Sequence, residues 1–440
     1  MNNLEKEYQN ALDWIYSFVD NSLTRNLGPS DENFIIDRMV ALAEALQNPQ
    51  NDYPIIHVAG TKGKGSTCAF YEAALRESGY VTGLYTSPHL VDFNERIQVN
   101  RVPITNEELV AYVEKIKPAV AKVKGVTTFD IATAIAMLYF RDQKVDIAIL
   151  EVGLGGRLDS TNIVEPILTT ITSISLDHMK VLGSTIDKIA SEKAGIIKPG
   201  IPVVIAPQKP EAMKAIKQTA KQRKSPIILP QKLYKIEKNQ HTLEMQQFVV
   251  TNTKTDEKLT LNIPLIGDFQ IENALNAMSG LQFLKFIGWK ITNNSIVEGF
   301  SKVVWPGRME IIHKKPMVII DSAHNLDSFE KLKSTIELYL PGKTIRLIFG
   351  ASEDKDVESM LKTISPAVAG ITFSESIHPR AFSAVDLWKI GKKYHKKVEV
   401  ILPIENAFGY LQKTIEKEDV ILVAGSIFIG AAARELWLKG

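Results

Sequence analysis

Short apolar runs alternate with amphipathic stretches along most of this chain of 440 residues. After two helical stretches at the start, the second near residues 31–47, the apolar runs are too short for helices and predict strands buried on both faces. The stretches between them have helical spacing and predict crossover helices. This alternation is typical of an α/β fold with a parallel sheet. The predicted strands are 55–59, 81–85, 145–151, 167–172 and 202–206, and the predicted helices include 106–122, 129–141 and 184–194.

The pattern changes twice in the second half of the chain. Between residues 226 and 264 short strands alternate apolar and polar positions, which predicts a small β-rich annex, and a helix over 271–286 follows. Pro306 and Gly307 then mark a linker. Beyond the linker a second alternating set predicts a smaller, doubly wound α/β domain. Its predicted strands are 317–321, 344–349, 371–373, 398–401 and 420–424.

The turn after the first predicted strand carries the clearest chemistry. Glycines there let backbone N–H groups point inward, Lys64 adds a positive charge, and the N-terminus of the following helix favours an anion. The turn predicts a cradle for the phosphates of a nucleoside triphosphate, although its spacing departs from the strict P-loop because Gly65 separates Lys64 from Ser66. A glycine-rich turn without a ligand is the alternative. The predicted cradle consists of Gly60, Thr61, Lys62, Gly63, Lys64, Gly65 and Ser66.

Length and patterning together predict two domains, since 440 residues exceed what one hydrophobic core usually serves. Residues 1–303 are predicted to form a P-loop-type doubly wound parallel sheet domain with the β-rich annex. Residues 304–440 are predicted to form a smaller Rossmann-like α/β domain. The hydrophobic content of 45% is ample for both cores.

Charge and composition limit the kinds of partner that we expect this protein to bind. The net charge of +2 disfavours a nucleic-acid partner. No apolar run approaches the ~20 residues that span a bilayer, and the chain does not start like a signal peptide, so we expect a cytoplasmic protein without membrane contact. We also expect a monomer. The single cysteine, Cys68, lies among apolar residues, which favours packing over reactivity.

Polar residues at the carboxyl ends of predicted strands are candidates for a metal site, because ligands bind there in open α/β sheets. Glu151 ends such a strand, Ser87 and His178 each follow one, and all three are expected to meet beside the cradle. A hydroxyl, a carboxylate and a neutral imidazole suit Mg²⁺ held together with substrate phosphates. The alternatives are a helix-capping or salt-bridge role for Glu151 and an ordinary core or surface histidine at position 178.

Lys193 falls on the apolar side of the predicted helix 184–194, together with Ile186 and Ile189. This helix has a capping-box-like start at Ser184 and Thr185. An inward-facing lysine must be paired, neutralised or modified, since burial of an unpaired ammonium group lowers the free energy of unfolding by roughly several kcal/mol. Extension of the side chain to the surface is the alternative.

The second predicted domain also offers candidates for nucleotide contact. Its first predicted strand ends in Asp321, and His324 follows closely. Arg308 lies just before this strand, next to the linker. Each of these signals is weak when taken alone.

Several longer motifs strongly resemble the folylpolyglutamate synthase and dihydrofolate synthase family, a branch of the Mur ligase superfamily. They extend over nearly the whole chain in the family's order. The motifs are YTSPHL at 85–90, FNERI at 93–97, EVGLGGRLDSTN at 151–162, LDH at 176–178, EKAGIIKPG at 192–200, GDFQIENA at 267–274, DSAHN at 321–325, DKD at 354–356 and HPRA at 378–381.

The resemblance implies roles for individual residues. The segment 60–66 matches the family's ATP phosphate loop, and Glu151, His178 and Ser87 match the Mg²⁺ environment. The expected catalytic residues are Lys64, Glu151, His178 and Lys193. Lys193 matches a lysine that the family carries as a carbamate. A monovalent cation is compatible with the same site. The positions that match ATP contacts are Asn273, Arg308, Asp321 and His324.

The resemblance and the cradle together predict a Mg-ATP-dependent carboxylate–amine ligase. It is expected to add L-glutamate to a reduced folate, to dihydropteroate, or to both, through an acyl phosphate with release of ADP and phosphate. Two alternatives stay open at this point. One is a Mur-type peptidoglycan ligase, and the other is a nucleotide-binding regulatory protein without ligase chemistry.

Overall fold

The computed structural model describes residues 3–18, 36–416 and 418–439. The chain divides into two compact units. The first contains Met1–Asn239, Gln247–Ile263 and Gln270–Val303, and the second contains Gln240–Gln246, Pro264–Phe269 and Val304–Gly440. Residues 31–35, where the second helix was predicted to begin, lie outside the described part of the chain.

The strands appear where short apolar runs were predicted, with some additions. They are β1 Ile55–Ala59, β2 Thr82–Tyr85, β3 Ile97–Val99, β4 Val102–Pro103, β5 Ile147–Glu151, β6 Leu168–Ile171, β7 Val203–Ile205, β8 Ile227–Ile228, β9 Tyr234–His241, β10 Gln246–Asn252, β11 Lys258–Ile263, β12 Glu310–Lys314, β13 Met317–Ile320, β14 Ile345–Phe349, β15 Gly370–Phe373, β16 Val398–Val400 and β17 Val420–Ala424.

The helices lie between these strands, as expected for crossover connections. They are α1 Asn3–Tyr16, α2 Ile36–Ala45, α3 Lys64–Glu77, α4 Asn106–Val120, α5 Thr128–Asp142, α6 Met179–Leu182, α7 Ile186–Ala194, α8 Pro210–Gln222, α9 Pro230–Leu233, α10 Asp268–Phe286, α11 Asn293–Ser301, α12 Leu326–Tyr339, α13 Val357–Ile364, α14 Ala384–Gly391, α15 Ile404–Thr414 and α16 Ile427–Lys439. The described part of the chain contains no helix that is both long and apolar enough to cross a membrane.

The first unit is built on an eight-stranded sheet in the order β4-β3-β2-β5-β1-β6-β7-β8. Strand β1 lies at its centre, parallel to β5 and β6, and all five of its residues are buried. This position explains the continuous apolar run in its sequence. The carboxyl ends of β1, β5 and β6 therefore lie side by side, with Val58 opposite Glu151 and Ala59 opposite Ile171.

The annex is a three-stranded sheet in the order β11-β10-β9. The second unit is built on a six-stranded sheet in the order β12-β13-β17-β14-β15-β16. All of its strands except β12 are parallel to their neighbours. The buried strand β17 lies between β13 and β14. The predicted α/β architecture, with two sheets of different size, is confirmed.

Two details of the sequence analysis were incomplete or wrong. Both large sheets carry antiparallel strands at one edge, β3 and β4 in the first and β12 in the second, which the pattern did not reveal. The capping box at the start of α7 is also wrong. Thr185 occupies the capping position but its side chain makes no capping hydrogen bond.

Candidate functional site

The predicted phosphate cradle is a tight turn between β1 and α3. Gly63 caps the helix with φ of +84°, a left-handed conformation that favours glycine. A Cβ atom at Gly63 would lie 2.1 Å from Asn273 Oδ1, and one at Gly60 would lie 1.8 Å from Thr172 Oγ1. Close packing therefore requires glycine at both positions. The turn ends at Gly63, so Lys64 is the first residue of α3.

Asn273 belongs to α10 and is buried against the cradle. Its side-chain Nδ2 donates to Gln270 Oε1 at 2.9 Å, which fixes the orientation of the amide. The structure thus brings one predicted ATP-contact residue to the predicted phosphate loop. The contacts of Thr172 and Gln270 were not predicted, because both depend on how distant segments pack.

The lysine of the cradle faces the predicted metal ligand. Lys64 Nζ lies 3.8 Å from Glu151 Oε1, and both side chains are largely buried. Glu151 Oε2 accepts a hydrogen bond of 3.1 Å from the main-chain N–H of Ser87. Ser87 and Glu151, two of the three residues expected to meet beside the cradle, are therefore grouped with Lys64. The third, His178, lies beside Asp177.

His178 lies in the loop after β6 and has a left-handed backbone, with φ of +50°. Its main-chain N–H donates to Asp177 Oδ1 at 3.0 Å, and its Nε2 lies 3.8 Å from the same oxygen. Asp177 in turn accepts a hydrogen bond of 3.1 Å from Lys62 Nζ. This connection from the cradle to the histidine loop was not predicted.

Lys193 points inward from α7 and is only 5% exposed. Burial, and after it the positive charge of Lys64, lowers the pKa of Lys193 from 10.5 to about 7. The prediction that Lys193 lies on the apolar face is confirmed, and extension to the surface is excluded. Near pH 7 a far larger fraction of this amine is therefore neutral than is usual for a lysine.

A buried polar cluster supports the loop that follows Glu151. Asp159 accepts hydrogen bonds from the Leu154 main-chain N–H and from both the main chain and the hydroxyl of Thr161. The same hydroxyl lies 2.8 Å from His57 Nε2 in β1. Burial raises the pKa of Asp159 and lowers that of His57 to about 3. The motif at 151–162 contained Asp159, but only its tertiary contacts identify it as a structural support.

Within the second unit, Asp321 organises the turn after β13. Asp321 Oδ2 accepts from the main-chain N–H of Met309 at 3.0 Å, and Oδ1 accepts from that of Ala323 at 2.9 Å. His324 Nδ1 lies 2.9 Å from the Ser322 carbonyl oxygen. Since Met309 follows Arg308, the carboxylate connects the predicted arginine segment with the predicted Asp/His segment.

The described residues contain no group of three or more His, Cys, Asp or Glu side chains arranged to hold a metal ion. Mg²⁺ needs no such group, because it usually takes one or two carboxylates together with substrate phosphates and water. The carboxylate of Glu151 beside the phosphate cradle fits this donor requirement.

Comparison with known proteins places these features in a family. The Mur ligase middle domain matches residues 58–280, and the Mur ligase glutamate ligase domain matches residues 307–427. The dihydrofolate synthase/folylpolyglutamate synthase of Bacillus subtilis is 37% identical over 430 residues, covering 96% of this chain and 97% of that protein. The folylpolyglutamate synthase of Lacticaseibacillus casei is 36% identical and covers 92% of this chain and 94% of that protein.

Solved structures agree along the whole chain. The folylpolyglutamate synthase of Thermotoga maritima has a TM-score of 0.85 at 31% identity and covers 99% of this chain and 98% of that one. The Mycobacterium tuberculosis enzyme, solved with ADP and AMPPCP, has a TM-score of 0.88 at 27% identity, with 99% of each chain covered. The chain described here therefore belongs to the folylpolyglutamate synthase/dihydrofolate synthase family of Mur ligases.

Proposed function

We propose that this protein is a Mg-ATP-dependent ligase that adds L-glutamate to a reduced folate. The observation that carries the proposal is the phosphate cradle with Lys64 beside Glu151 in a chain that matches the family along its full length. Dihydropteroate is a second proposed acceptor, because relatives from Bacillus subtilis and Escherichia coli carry both synthase names.

The reaction follows from the poor reactivity of a carboxylate toward an amine. A carboxylate oxygen of the acceptor attacks the γ-phosphorus of ATP, and the bond from that phosphorus to ADP breaks. The resulting acyl phosphate is attacked by the free amine of glutamate. The new C–N bond forms, the amine loses a proton, and phosphate leaves with the former carboxylate oxygen.

The cradle supplies electrostatic stabilisation for the phosphoryl transfer. Lys64 and the main-chain N–H groups at the N-terminus of α3 stabilise the charge that spreads over the transferring group, whereas the N–H groups of Thr61 and Lys62 are already bonded to the Ser173 carbonyl oxygen. The close packing of Gly60 and Gly63 keeps the loop rigid, so little reorganisation is needed during the reaction.

We propose that Ser87, Glu151 and His178 hold Mg²⁺ with the phosphates of ATP. The bound ion neutralises phosphate charge and supplies Lewis acidity. Glu151 is oriented for this task because Ser87 donates to one of its oxygens while Lys64 approaches the other. A carboxylate fixed in this way keeps its geometry when the nucleotide arrives.

We propose that Lys193 is carbamylated. The neutral amine adds to carbon dioxide, forms a C–N bond and releases one proton, so a pKa of about 7 favours the reaction near neutral pH. The modification replaces a costly buried ammonium with an anion that helps to order the metal and water. The ATP-contact roles of Asn273, Arg308, Asp321 and His324 stay predictions, as do a monomeric state and a cytoplasmic location.

An ADP-release assay tests the proposed function directly. The purified protein is supplied with ATP, Mg²⁺ and L-glutamate, and with tetrahydrofolate, dihydropteroate or a UDP-sugar peptide as acceptor. We expect glutamate-dependent ADP release and amide formation with tetrahydrofolate, with dihydropteroate, or with both. Activity with the UDP-sugar peptide alone would identify a peptidoglycan ligase, and ATP binding without turnover on any acceptor would indicate a regulatory protein.

A further inference from the structure

The cradle contains a second lysine whose partner differs from that of Lys64. Lys62 Nζ donates to Asp177 Oδ2 at 3.1 Å, whereas Lys64 faces Glu151. The Lys62 and Asp177 side chains are only 15% and 9% exposed, so solvent screens this pair less than a surface pair. The two lysines thus engage different carboxylates, one at the last residue of β5 and the other in the loop after β6.

Asp177 uses its other oxygen to hold the next residue. Asp177 Oδ1 accepts a hydrogen bond of 3.0 Å from the main-chain N–H of His178. His178 has φ of +50°, which costs a residue with a Cβ atom about 1–2 kcal/mol. The ion pair with Lys62 therefore restrains a carboxylate that itself stabilises an unfavourable turn.

Further hydrogen bonds join the cradle to the same loop. The main-chain N–H groups of Thr61 and Lys62 donate to the Ser173 carbonyl oxygen at 2.9 and 3.1 Å. The Thr61 hydroxyl donates to the Ser175 carbonyl oxygen at 3.2 Å. The cradle is thereby fastened to residues 173–177, and Lys62 extends this attachment to the residue before His178.

We propose that Lys62 is a positioning residue for the magnesium–phosphate site, acting through Asp177 on the turn that carries His178. The inference rests on the proposed function of His178 as a metal ligand. Residues behind the direct ligands of a metal contribute to affinity because they fix ligand orientation. A direct phosphate contact by Lys62 is the competing explanation, and it requires no contribution from Asp177.

Metal binding in the complex with ADP separates these explanations. Mn²⁺ is titrated into the protein with ADP, and free Mn²⁺ is measured by electron paramagnetic resonance. We expect Lys62→Met and Asp177→Asn each to weaken Mn²⁺ binding about tenfold. The double variant is expected to bind Mn²⁺ as tightly as the single variant with the lower Mn²⁺ affinity, because both changes remove the same link. Lys62→Arg should retain most of the affinity.

One further measurement and one control variant distinguish this effect from a general folding defect. Hydrogen exchange of residues 175–182 in the ligand-free protein should accelerate in Lys62→Met and Asp177→Asn, with little change elsewhere. Lys302→Met is the matched control, since Lys302 forms an exposed ion pair of 2.9 Å with Glu77 in the same unit. It should leave both Mn²⁺ binding and exchange unchanged. If Lys62→Met does not fold, Asp177→Asn carries the test, and wild-type Mn²⁺ affinity in that variant would overturn the proposal.

Wild-type Mn²⁺ affinity in Lys62→Met would overturn the proposal. A loss confined to Lys62→Met, with Asp177→Asn behaving as wild type, would also overturn it and would assign Lys62 to direct phosphate binding. The binding experiment needs no acceptor and no turnover. A protein that passes it but forms no amide would therefore contradict the proposed function and leave the positioning role of Lys62 in place.

Discussion

Among individual residues, three lysines of the first unit show how the surroundings of a side-chain amine determine its ion pairing and its protonation. Lys62 pairs with Asp177, Lys64 lies beside Glu151, and Lys193 is buried with a pKa lowered to about 7. The first two keep a carboxylate within reach of their ammonium groups. Burial of Lys193 instead favours the neutral amine over the ammonium group, and carbamate formation requires a neutral amine.

We expect Lys193→Ala to lower the rate of glutamate-dependent ADP release by about 10²-fold or more, because an electrostatic group of the site is lost. Formate or acetate should restore part of the rate by supplying an anion. Lys188→Ala, an exposed change on the same helix, should have normal activity. In the wild-type protein, ¹³C-bicarbonate should give a carbamate carbon resonance that the Lys193→Ala variant lacks. A fully active wild-type protein without this resonance would contradict carbamylation.

At the scale of the element, the turn from β1 into α3 depends on space as much as on backbone freedom. Gly63 and Gly79 have nearly the same φ, +84° and +89°, but they differ in surroundings. A Cβ atom at Gly63 meets the Asn273 amide, while nothing lies within 4 Å of one at Gly79. Substitutions at these two glycines therefore distinguish the effect of a steric clash from the free-energy cost of a left-handed backbone conformation.

We predict that Gly79→Ala lowers the free energy of unfolding by about 1–2 kcal/mol, the cost of the backbone conformation alone. Gly63→Ala should cost more, and it should also weaken ATP binding because Asn273 and the cradle must move apart. Urea unfolding and ATP titration of both variants provide the comparison. Equal stability losses and equal ATP affinities would show that contact with Asn273 does not matter.

The elements also show what the sequence could predict. The central strands were found because burial on both faces gives continuous apolar runs, and β1 and β17 were predicted with their observed bounds. The edge strands β3, β4 and β12 were missed, because short or partly exposed segments lack that signature. The grouping of Ser87, Lys64 and Glu151 followed from strand ends. The Lys62–Asp177 pair did not, since it depends on the conformation of a loop.

For the molecule as a whole, one buried and one partly buried histidine link stability to pH. Burial lowers the pKa values of His57 and His89 from 6.5 to about 3. Between pH 6.5 and 3 the unfolded chain therefore binds protons that the folded chain does not. The free energy of unfolding should fall as the pH falls through this window, by at most about 1.4 kcal/mol per pH unit for each histidine.

The variant His57→Gln should show a shallower loss of stability on acidification, because one of these proton-binding sites is removed from the unfolded chain. Urea unfolding at several pH values between 7 and 4 measures the slope. Identical slopes for His57→Gln and the wild type would mean that His57 does not titrate differently in the two states.

Isotope transfer shows whether the ligase reaction passes through an acyl phosphate of a folate-type acceptor. Tetrahydrofolate labelled with ¹⁸O in its γ-carboxylate, or dihydropteroate labelled in its benzoate carboxylate, is incubated with the protein, ATP, Mg²⁺ and L-glutamate. We predict that one ¹⁸O atom per amide appears in inorganic phosphate, with ADP as the other product. Amide formation with unlabelled phosphate, or with AMP and pyrophosphate as products, would contradict the account.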